Sequence, residues 1–187
     1  MQLEEYLDAL ASEAPTPGGG SAAAIVGAFA AALVAMVARI TRRSASTSEA
    51  DAVIVRADAL RSEFVLARTE DEAAYARVVA AQALPKNTAA EKTLRTAALQ
   101  SALAGAAEAP LRAAELAVRA LRLTEEASAL GNANLASDVA CAKTFARASL
   151  SASAANVRIN HAFLRDAELV RAQETRLRAL EREAEGE

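Results

Sequence analysis

Apolar and polar positions along the chain repeat with a helical period nearly throughout, and one stretch stands apart from the rest. Residues 15–43 read PTPGGGSAAAIVGAFAAALVAMVARITRR, with no charge before Arg39. Proline and glycine oppose a helix interior while Ala, Leu and Met favour it, so the stretch predicts a loop turning into one long helix near residues 19–21. Ser21 stands where it can help cap orphan N–H groups. At 100° per residue, Ile25, Val26, Phe29, Leu33, Met36, Val37 and Ile40 gather on one side, and Gly20, Ala24, Gly27, Ala28, Ala31 and Ala35 gather opposite. The large side is expected to fill a core, and the small side to let another backbone approach, including at a contact between subunits. A helix apolar all round is buried on every face. It is long enough to span a bilayer, but its apolar character is mostly alanine and the rest of the chain is charged, so the expectation is the central helix of a bundle and no membrane.

The remaining pattern fills in around it. Residues 2–12 predict a short helix with Leu3, Tyr6, Leu7 and Leu10 on one face, a lid or brace beside the central one. Residues 41–48 are polar, with Thr47 or Ser48 as N-cap of a helix reaching about Ala83. Val53, Leu60, Phe64, Ala67, Tyr75 and Val78 or Val79 form its apolar stripe, and Arg56, Asp58, Arg61, Arg68 and Arg77 its solvated side. The run Glu70, Asp71, Glu72 reads as solvated charge, although Asp71 and Tyr75 lie one turn apart and can share a cleft. Residues 84–88 are a turn, and Thr88 with Glu91 forms a capping box. Helix then continues to Leu130 on both sides of Pro110, which is expected to kink or break it, and Gly131 ends it. Asn134 is placed to cap a further helix reaching about Leu164, with Ser137 and Asp138 in its first turn. Asn156 and Asn160 share a face of that helix, and Arg158 points the other way. An amphipathic helix over residues 166–187 closes the chain.

Composition narrows the class. The 187 residues suit a single domain over 1–187, and 53% are hydrophobic with only 3% aromatic, so the core must be built from Ala, Leu and Val on closely packed helices. The formal net charge of −3, without an aromatic-studded basic stripe, argues against a nucleic-acid partner. Cys141 has no intrachain partner and no leader is evident, which points to a reducing cytoplasm. Cys141, between alanines, reads as a small buried residue. His161, the one histidine, has no companion at ligand spacing, so no metal site is expected. Apolar helix surface in excess of what one thin bundle covers predicts an obligate homodimer.

Two polar stretches carry candidate chemistry. Gly18, Gly19 and Gly20 before a helix expose N–H donors and a partial positive charge, which suits a carboxylate, a phosphate or the polar edge of a heterocycle. The pattern is neither a Walker loop nor a strand-preceded GxGxxG, and three glycines also serve tight packing alone. Lys86, beside Pro85 on a turn, reads either as a ligand for a carboxylate or as a solvent lysine.

Taken together, PTPGGGS before an Ala-rich helix, Asp71 with Tyr75, Leu84-Pro85-Lys86 followed by Glu91 and Arg95, Ala109-Pro110-Leu111, Gly131-Asn132-x-Asn134-x-x-Ser137-Asp138, and Asn156-Val157-Arg158-Ile159-Asn160 resemble, in order, the formiminotetrahydrofolate cyclodeaminase family, which includes related methenyltetrahydrofolate cyclohydrolases. The resemblance implies an all-α, multihelical homodimer acting on a tetrahydrofolate derivative as substrate, without metal, and a formiminotransferase as partner enzyme. In one reaction N10 attacks a formimino carbon and ammonia leaves; in the other, water attacks the methenyl carbon. The chain departs from the family after Thr41, where Arg42-Arg43-Ser44-Ala45-Ser46 replaces a lysine-rich, tyrosine-bearing segment. Such chemistry needs a positioned acid or base and stabilisation of a cationic or tetrahedral intermediate. The resemblance offers Asp138, Lys86, Asp71 and Tyr75 for this, and Gly18, Gly19, Gly20, Ser21, Asn132, Asn134, Ser137, Asn156, Arg158 and Asn160 for holding the folate. Asp138 and Asn156 lie about 27 Å apart along one helix at 1.5 Å per residue. They serve different ends of a long ligand, or a dimer brings opposite helix ends together. Two other readings fit the chain: a non-catalytic folate-binding member of the family, and a helical dimerisation module.

Overall fold

The computed structural model describes residues 2–44 and 48–186. Thr47, Ala45 and Ser46 lie outside them. Among the described residues the regular structure is helical: α1 (Leu3–Leu10), α2 (Gly19–Ser44), α3 (Ser48–Gln82), α4 (Ala89–Ala129), a short 3-10 turn (Ala133–Leu135), α5 (Ala136–His161) and α6 (Ala167–Glu185). The expected caps set several of these bounds. Thr88 Oγ1 accepts from the Glu91 amide at 3.2 Å while Glu91 accepts from the Thr88 amide at 2.9 Å. Asp166 accepts from the amides of Glu168 and Leu169, each at 3.0 Å, and Gly131 takes the left-handed conformation just past α4, at φ 76°. Asn134 does not cap α5: it sits inside the 3-10 turn, whose N-cap is Asn132, and Leu135 precedes α5 without a side-chain cap.

Helix α2 lies at the centre, packed against α3, α4 and α5. It runs on through Ser44, where a polar connection was expected, because neighbours satisfy the polar residues of its last turns. Thr41 is buried and its hydroxyl accepts from the Asn132 amide at 3.2 Å, and Arg42 donates to Asp51 of α3 at 2.8 Å. The small side admits a close neighbour, as expected, but the large side is not what fills the core. The small side faces inward: Ala24, Ala31 and Ala35 are buried, and a Cβ at Gly27 would stand 2.3 Å from the ring of Phe64 on α3. Most of the large side faces outward, with Phe29 45% and Ile40 40% exposed and Ile25, Val26, Leu33 and Met36 only half-buried, while Val37 at its edge is buried. Size decides this, because close approach of two axes requires small residues between them, and the large ones are left on the far side. Helix α2 is apolar and long enough to cross a membrane, but its small face is the middle of the protein's own core.

The core is built around Phe64, Leu60, Val34, Val37, Val53, Leu111, Val157 and Leu177, with alanines filling the space between axes. A smaller cluster joins Ala74 and Val78 of α3 to Leu103 and Ala106 of α4. Of the two valines offered for the α3 stripe, Val78 is buried and Val79 is 40% exposed; Tyr75, also expected there, stands 43% exposed, and Ala74 takes the inward position. Cys141 lies exposed on α5, because that side of the helix faces away from both α2 and α4.

Helix α4 passes through Pro110 without a break. A proline cannot donate to the carbonyl four residues back, here that of Ala106, and that lost bond is the usual cause of a kink. The side-chain amide of Asn160 on α5 donates to the Ala106 carbonyl at 2.9 Å and fills the vacancy from outside. Pro110 is thereby tolerated fully buried.

Candidate functional site

The loop at residues 15–18 delivers the chain to the start of α2, and here the structure brings together side chains from four helices. Gly20 is buried, and a Cβ on it would stand 2.2 Å from Oδ1 of Asp71, so the carboxyl of Asp71 rests directly on the α2 backbone. The Ser21 amide lies on the same side and favours its anion. A carboxyl from α3 thus sits against the first turn of α2, and the Ser21 side chain does not cap that turn. The expectation of free N–H groups for a ligand holds only in part, since Asp71 lies beside that of Ser21. Burial pushes the Asp71 carboxyl up from its ordinary value; the Ser21 amide opposes this and the charge of Glu72 adds to it.

Ser21 is fully buried. Its hydroxyl donates to Glu72 Oε1 at 2.8 Å, so the Tyr6 hydroxyl, 2.9 Å away, is the donor to Ser21 Oγ. Arg68 donates to the same Glu72 oxygen at 3.4 Å, and its guanidinium lies 5.8 Å from the centroid of the Tyr6 ring. Burial raises the Tyr6 hydroxyl's affinity for its proton, in keeping with its role as donor. Tyr6 is the one buried residue of α1. The expected brace is real, and it is held by this contact.

Helix α5 runs antiparallel to α2. Ser149 donates to the Ala23 carbonyl at 2.8 Å, Asn156 lies over Gly19 with its amide nitrogen 3.2 Å from where a Cβ would be, and Asn132 reaches Thr41 at the other end. The amide of Asn156 donates to the Ala152 carbonyl at 2.8 Å, and that of Asn160 to the carbonyls of Asn156 and Ala106 at 2.8 and 2.9 Å. The structure therefore gathers Gly19, Gly20, Ser21, Asp71 and Asn156 at the start of α2, with Gly18 open beside them and Tyr75 exposed one turn beyond Asp71. Asn160 is one turn farther and spends its amide on the backbone.

The other residues named from the sequence lie elsewhere. Asn132, Asn134, Ser137 and Asp138 cluster at the opposite end of α2, where Asp138 occupies the first turn of α5, half-buried. Twenty residues separate Ser21 from Thr41 on one helix, about 30 Å. Arg158 faces α6, donating to Glu181 at 2.8 and 2.7 Å and to Glu174 at 3.3 Å, which holds its guanidinium more firmly protonated than usual and away from the α2 start. Lys86 stands exposed in the turn after α3, whose last residue is about 16 Å along the axis from Asp71. A cleft of about 750 Å³ between α5 and α6, lined by Arg147, Ser151, Arg178 and Arg182 among others, shares no residue with either cluster. Tyr6, Arg68 and Glu72 were not foreseen. The signal available was the Arg68–Glu72 spacing of one turn on the same face as the Asp71 region, masked by reading all of these charges as solvated.

The arrangement defines an all-helical bundle whose polar chemistry is confined to the two ends of one buried helix, with an apolar outer stripe between them. The chain belongs to the formiminotransferase-cyclodeaminase family, whose sequence profile matches residues 2–179. It is 39% identical over 183 residues to a methenyltetrahydrofolate cyclohydrolase of Methylorubrum extorquens, covering 96% of this chain and 86% of that one. It is 31% identical over 162 residues to the rat formimidoyltransferase-cyclodeaminase, covering 84% of this chain and 30% of that longer protein. Its fold is similar to the crystal structure of a formiminotetrahydrofolate cyclodeaminase from Thermotoga maritima, with a TM-score of 0.88 at 29% identity, covering 100% of this chain and 91% of that one.

Proposed function

We propose that the protein is a one-carbon folate enzyme that hydrolyses 5,10-methenyltetrahydrofolate. The observation that carries this reading is the 39% identity to a cyclohydrolase matched over nearly its whole length. The Thermotoga and rat relatives support a second reading, the cyclodeaminase reaction, in which N10 attacks the formimino carbon of 5-formiminotetrahydrofolate and ammonia leaves. In hydrolysis, a base takes a proton from water as its oxygen bonds to the methenyl carbon. The carbon–nitrogen bond then breaks, the hydroxyl of the tetrahedral carbon gives its proton to a base as it becomes a formyl carbonyl, and the departing nitrogen takes up a proton, so that one proton is released overall. That sequence needs two proton-transfer groups in unlike surroundings.

Asp71 and Asp138 answer this need. Asp71, whose buried carboxyl holds a proton more readily than usual, is the donor to the departing nitrogen. Asp138, in the first turn of α5 where the helix end favours an anion, is the base or the stabiliser of the cationic carbon. Tyr75 is an accessible second donor, and Lys86 suits a carboxylate of the folate tail better than the reacting atom. The glycine loop with Asn156 and the turn bearing Asn132, Asn134 and Ser137 hold the ligand. Thr41 with Arg42 and Arg43 adjoins the second of these.

The two carboxyls stand at opposite ends of α2, so the complete site is formed by a homodimer. The outward stripe of Ile25, Val26, Phe29, Leu33, Met36 and Ile40 has the length and apolar character of a subunit contact. A two-fold axis near Phe29 and Leu33 sets the two α2 helices antiparallel, which brings Asp138 of the partner subunit toward the Asp71 end of this one. The chain acts as one cyclodeaminase-like domain, in the cytoplasm, free of membrane and nucleic acid. A separate formiminotransferase is the partner suggested by the rat protein's printed name. The absorbance of the methenyl compound tests the reading: its loss on adding the protein supports hydrolysis, its growth from 5-formiminotetrahydrofolate with release of ammonia supports cyclodeamination, and neither change overturns both.

A further inference from the structure

We propose that Glu72 is a positioning residue that sets the orientation and the protonation of Asp71 through their common contact with the start of α2. The inference rests on the reading of Asp71 as a proton-transfer group. Two consecutive carboxyls of α3 meet one turn of α2: Asp71 rests on the Gly20 backbone beside the Ser21 amide, and Glu72 takes the Ser21 hydroxyl at 2.8 Å. Consecutive residues on a helix diverge by 100°, so this double contact fixes both the rotation of α3 and its height against the start of α2. Arg68 and the Tyr6 hydroxyl complete the chain from the other side, at 3.4 Å to Glu72 and 2.9 Å to Ser21. A fully buried serine between two acids and a tyrosine is a joint, and α1 is its outer plate.

The charge balance follows from the same geometry. Facing the Asp71 and Ser21 junction are Tyr6 from α1, Arg68 and Glu72 from α3, the backbone of Gly20 and Ser21 from α2, and the neutral amide of Asn156 from α5. The charge of Glu72 beside Asp71 favours the protonated form of the Asp71 carboxyl. Arg68 neutralises Glu72 only in part, across a longer contact. Replacing Glu72 by glutamine keeps an acceptor for the Ser21 hydroxyl and removes the charge.

The test is a carbon-13 NMR titration of the Asp71 carboxyl in the parent and in Glu72→Gln, without substrate, beside the pH profile of kcat. Asp71→Asn assigns the signal. The expected result is a lower Asp71 midpoint in Glu72→Gln, with the Asp71 limb of the rate profile moving the same way. Glu72→Ala, which also loses the tether, is expected to lower kcat by about 10- to 100-fold with KM within about twofold, the signature of misplacement. Tyr6→Phe removes one donor and no charge, so it is expected to leave the Asp71 midpoint in place and to speed hydrogen exchange at the α1 amides. An unmoved midpoint in Glu72→Gln overturns the inference, as does a Tyr6→Phe variant whose α1 exchange is that of the parent. A moved midpoint with an unmoved rate profile supports the role of Glu72 and removes Asp71 from the chemistry.

Discussion

Three consecutive glycines precede or open α2, and the structure assigns each a different tolerance for a methyl group. At Gly18 a Cβ meets nothing within 4 Å; at Gly19 it meets the Asn156 amide nitrogen at 3.2 Å; at Gly20 it meets Asp71 Oδ1 at 2.2 Å and Cγ at 2.6 Å. Ordinary contact lies near 3.5 Å, so only the Gly20 methyl demands a displacement above about 1 Å. Asp71 has two side-chain torsions and rotates outward to make room. It then gives up its interaction with the Ser21 amide, about 1.5–3 kcal/mol where the acceptor is a charged group, while alanine returns about 1 kcal/mol of helix propensity and the carboxyl regains water. The net loss of stability in Gly20→Ala is therefore about 1–2 kcal/mol, or roughly 2–8 °C in Tm for a chain of this size. A catalytic group moved by about 1 Å loses roughly 10²-fold in rate. The assay pairs kcat/KM on the methenyl compound with thermal melts for Gly18→Ala, Gly19→Ala and Gly20→Ala. The expected order of kinetic loss is none, small, and about 10²-fold, with melting curves far closer together than the rates. Parental kcat/KM in Gly20→Ala, or an equal loss in Gly18→Ala, refutes the reasoning.

Other expectations are independent of the loop. Gly27→Ala drives a methyl 2.3 Å from the Phe64 ring, so differential scanning calorimetry should find it destabilised by about 1–3 kcal/mol despite the better helix propensity, and the Gly27→Ala with Phe64→Leu pair should recover part of the loss. Asp71→Asn and Asp138→Asn should each lower turnover by about 10²- to 10⁴-fold; denatured and refolded together at equal ratio they should regain about a quarter of parental activity, because half the dimers are mixed and each mixed dimer has one intact site. No recovery places both carboxyls in one subunit's site. Asn160→Leu leaves the Ala106 carbonyl buried without a donor and should cost about 1–3 kcal/mol in urea melts, whereas Pro110→Ala restores that carbonyl's own partner, so adding Asn160→Leu to it should cost markedly less. Burial raises the Asp71 carboxyl, so its contribution to stability is full below an ordinary aspartate's value and is lost as pH rises through the elevated one. Asp71→Asn should therefore gain on the parent between acid and neutral pH, and a constant difference across that range contradicts the burial account.

The helices were legible because their ends are chemical signals: the Thr88 and Glu91 box, Asp166 before an amphipathic run, Gly131 after α4. The orientation of α2 was not, since both of its sides are apolar. Its small residues mark the side of close approach, but that the neighbour there is α3 of the same chain, with Phe64 against Gly27, is a fact about α3. That α4 is not broken at Pro110 was illegible for a similar reason, because the donor to the Ala106 carbonyl comes from Asn160, fifty residues on. Of the polar cluster at the start of α2, Gly19, Gly20, Ser21, Asp71 and Asn156 were named from the sequence, but their meeting in one place was not legible there. Asp71 looked like part of a solvated acidic run until the absence of a Cβ at Gly20 gave its carboxyl somewhere to go, and Arg158, a polar residue on an apolar helix, found its partners on α6.

The bond from Asn160 to the Ala106 carbonyl works as a peg in a hole. Alanine-lined helices present shallow ridges and grooves, so a specific bond sharpens their register along the axis. Pro110 leaves the Ala106 carbonyl open in α4, and Asn160 is the peg that fills it, which with the Ser149 bond to Ala23 fixes the axial position of α5. The same Asn160 amide also holds the Asn156 carbonyl at 2.8 Å, and Asn156 is the residue seated over Gly19. The position of the Asn156 side chain is thus indexed by a proline on a different helix, and α4 acts as the ruler against which that end of α5 is set.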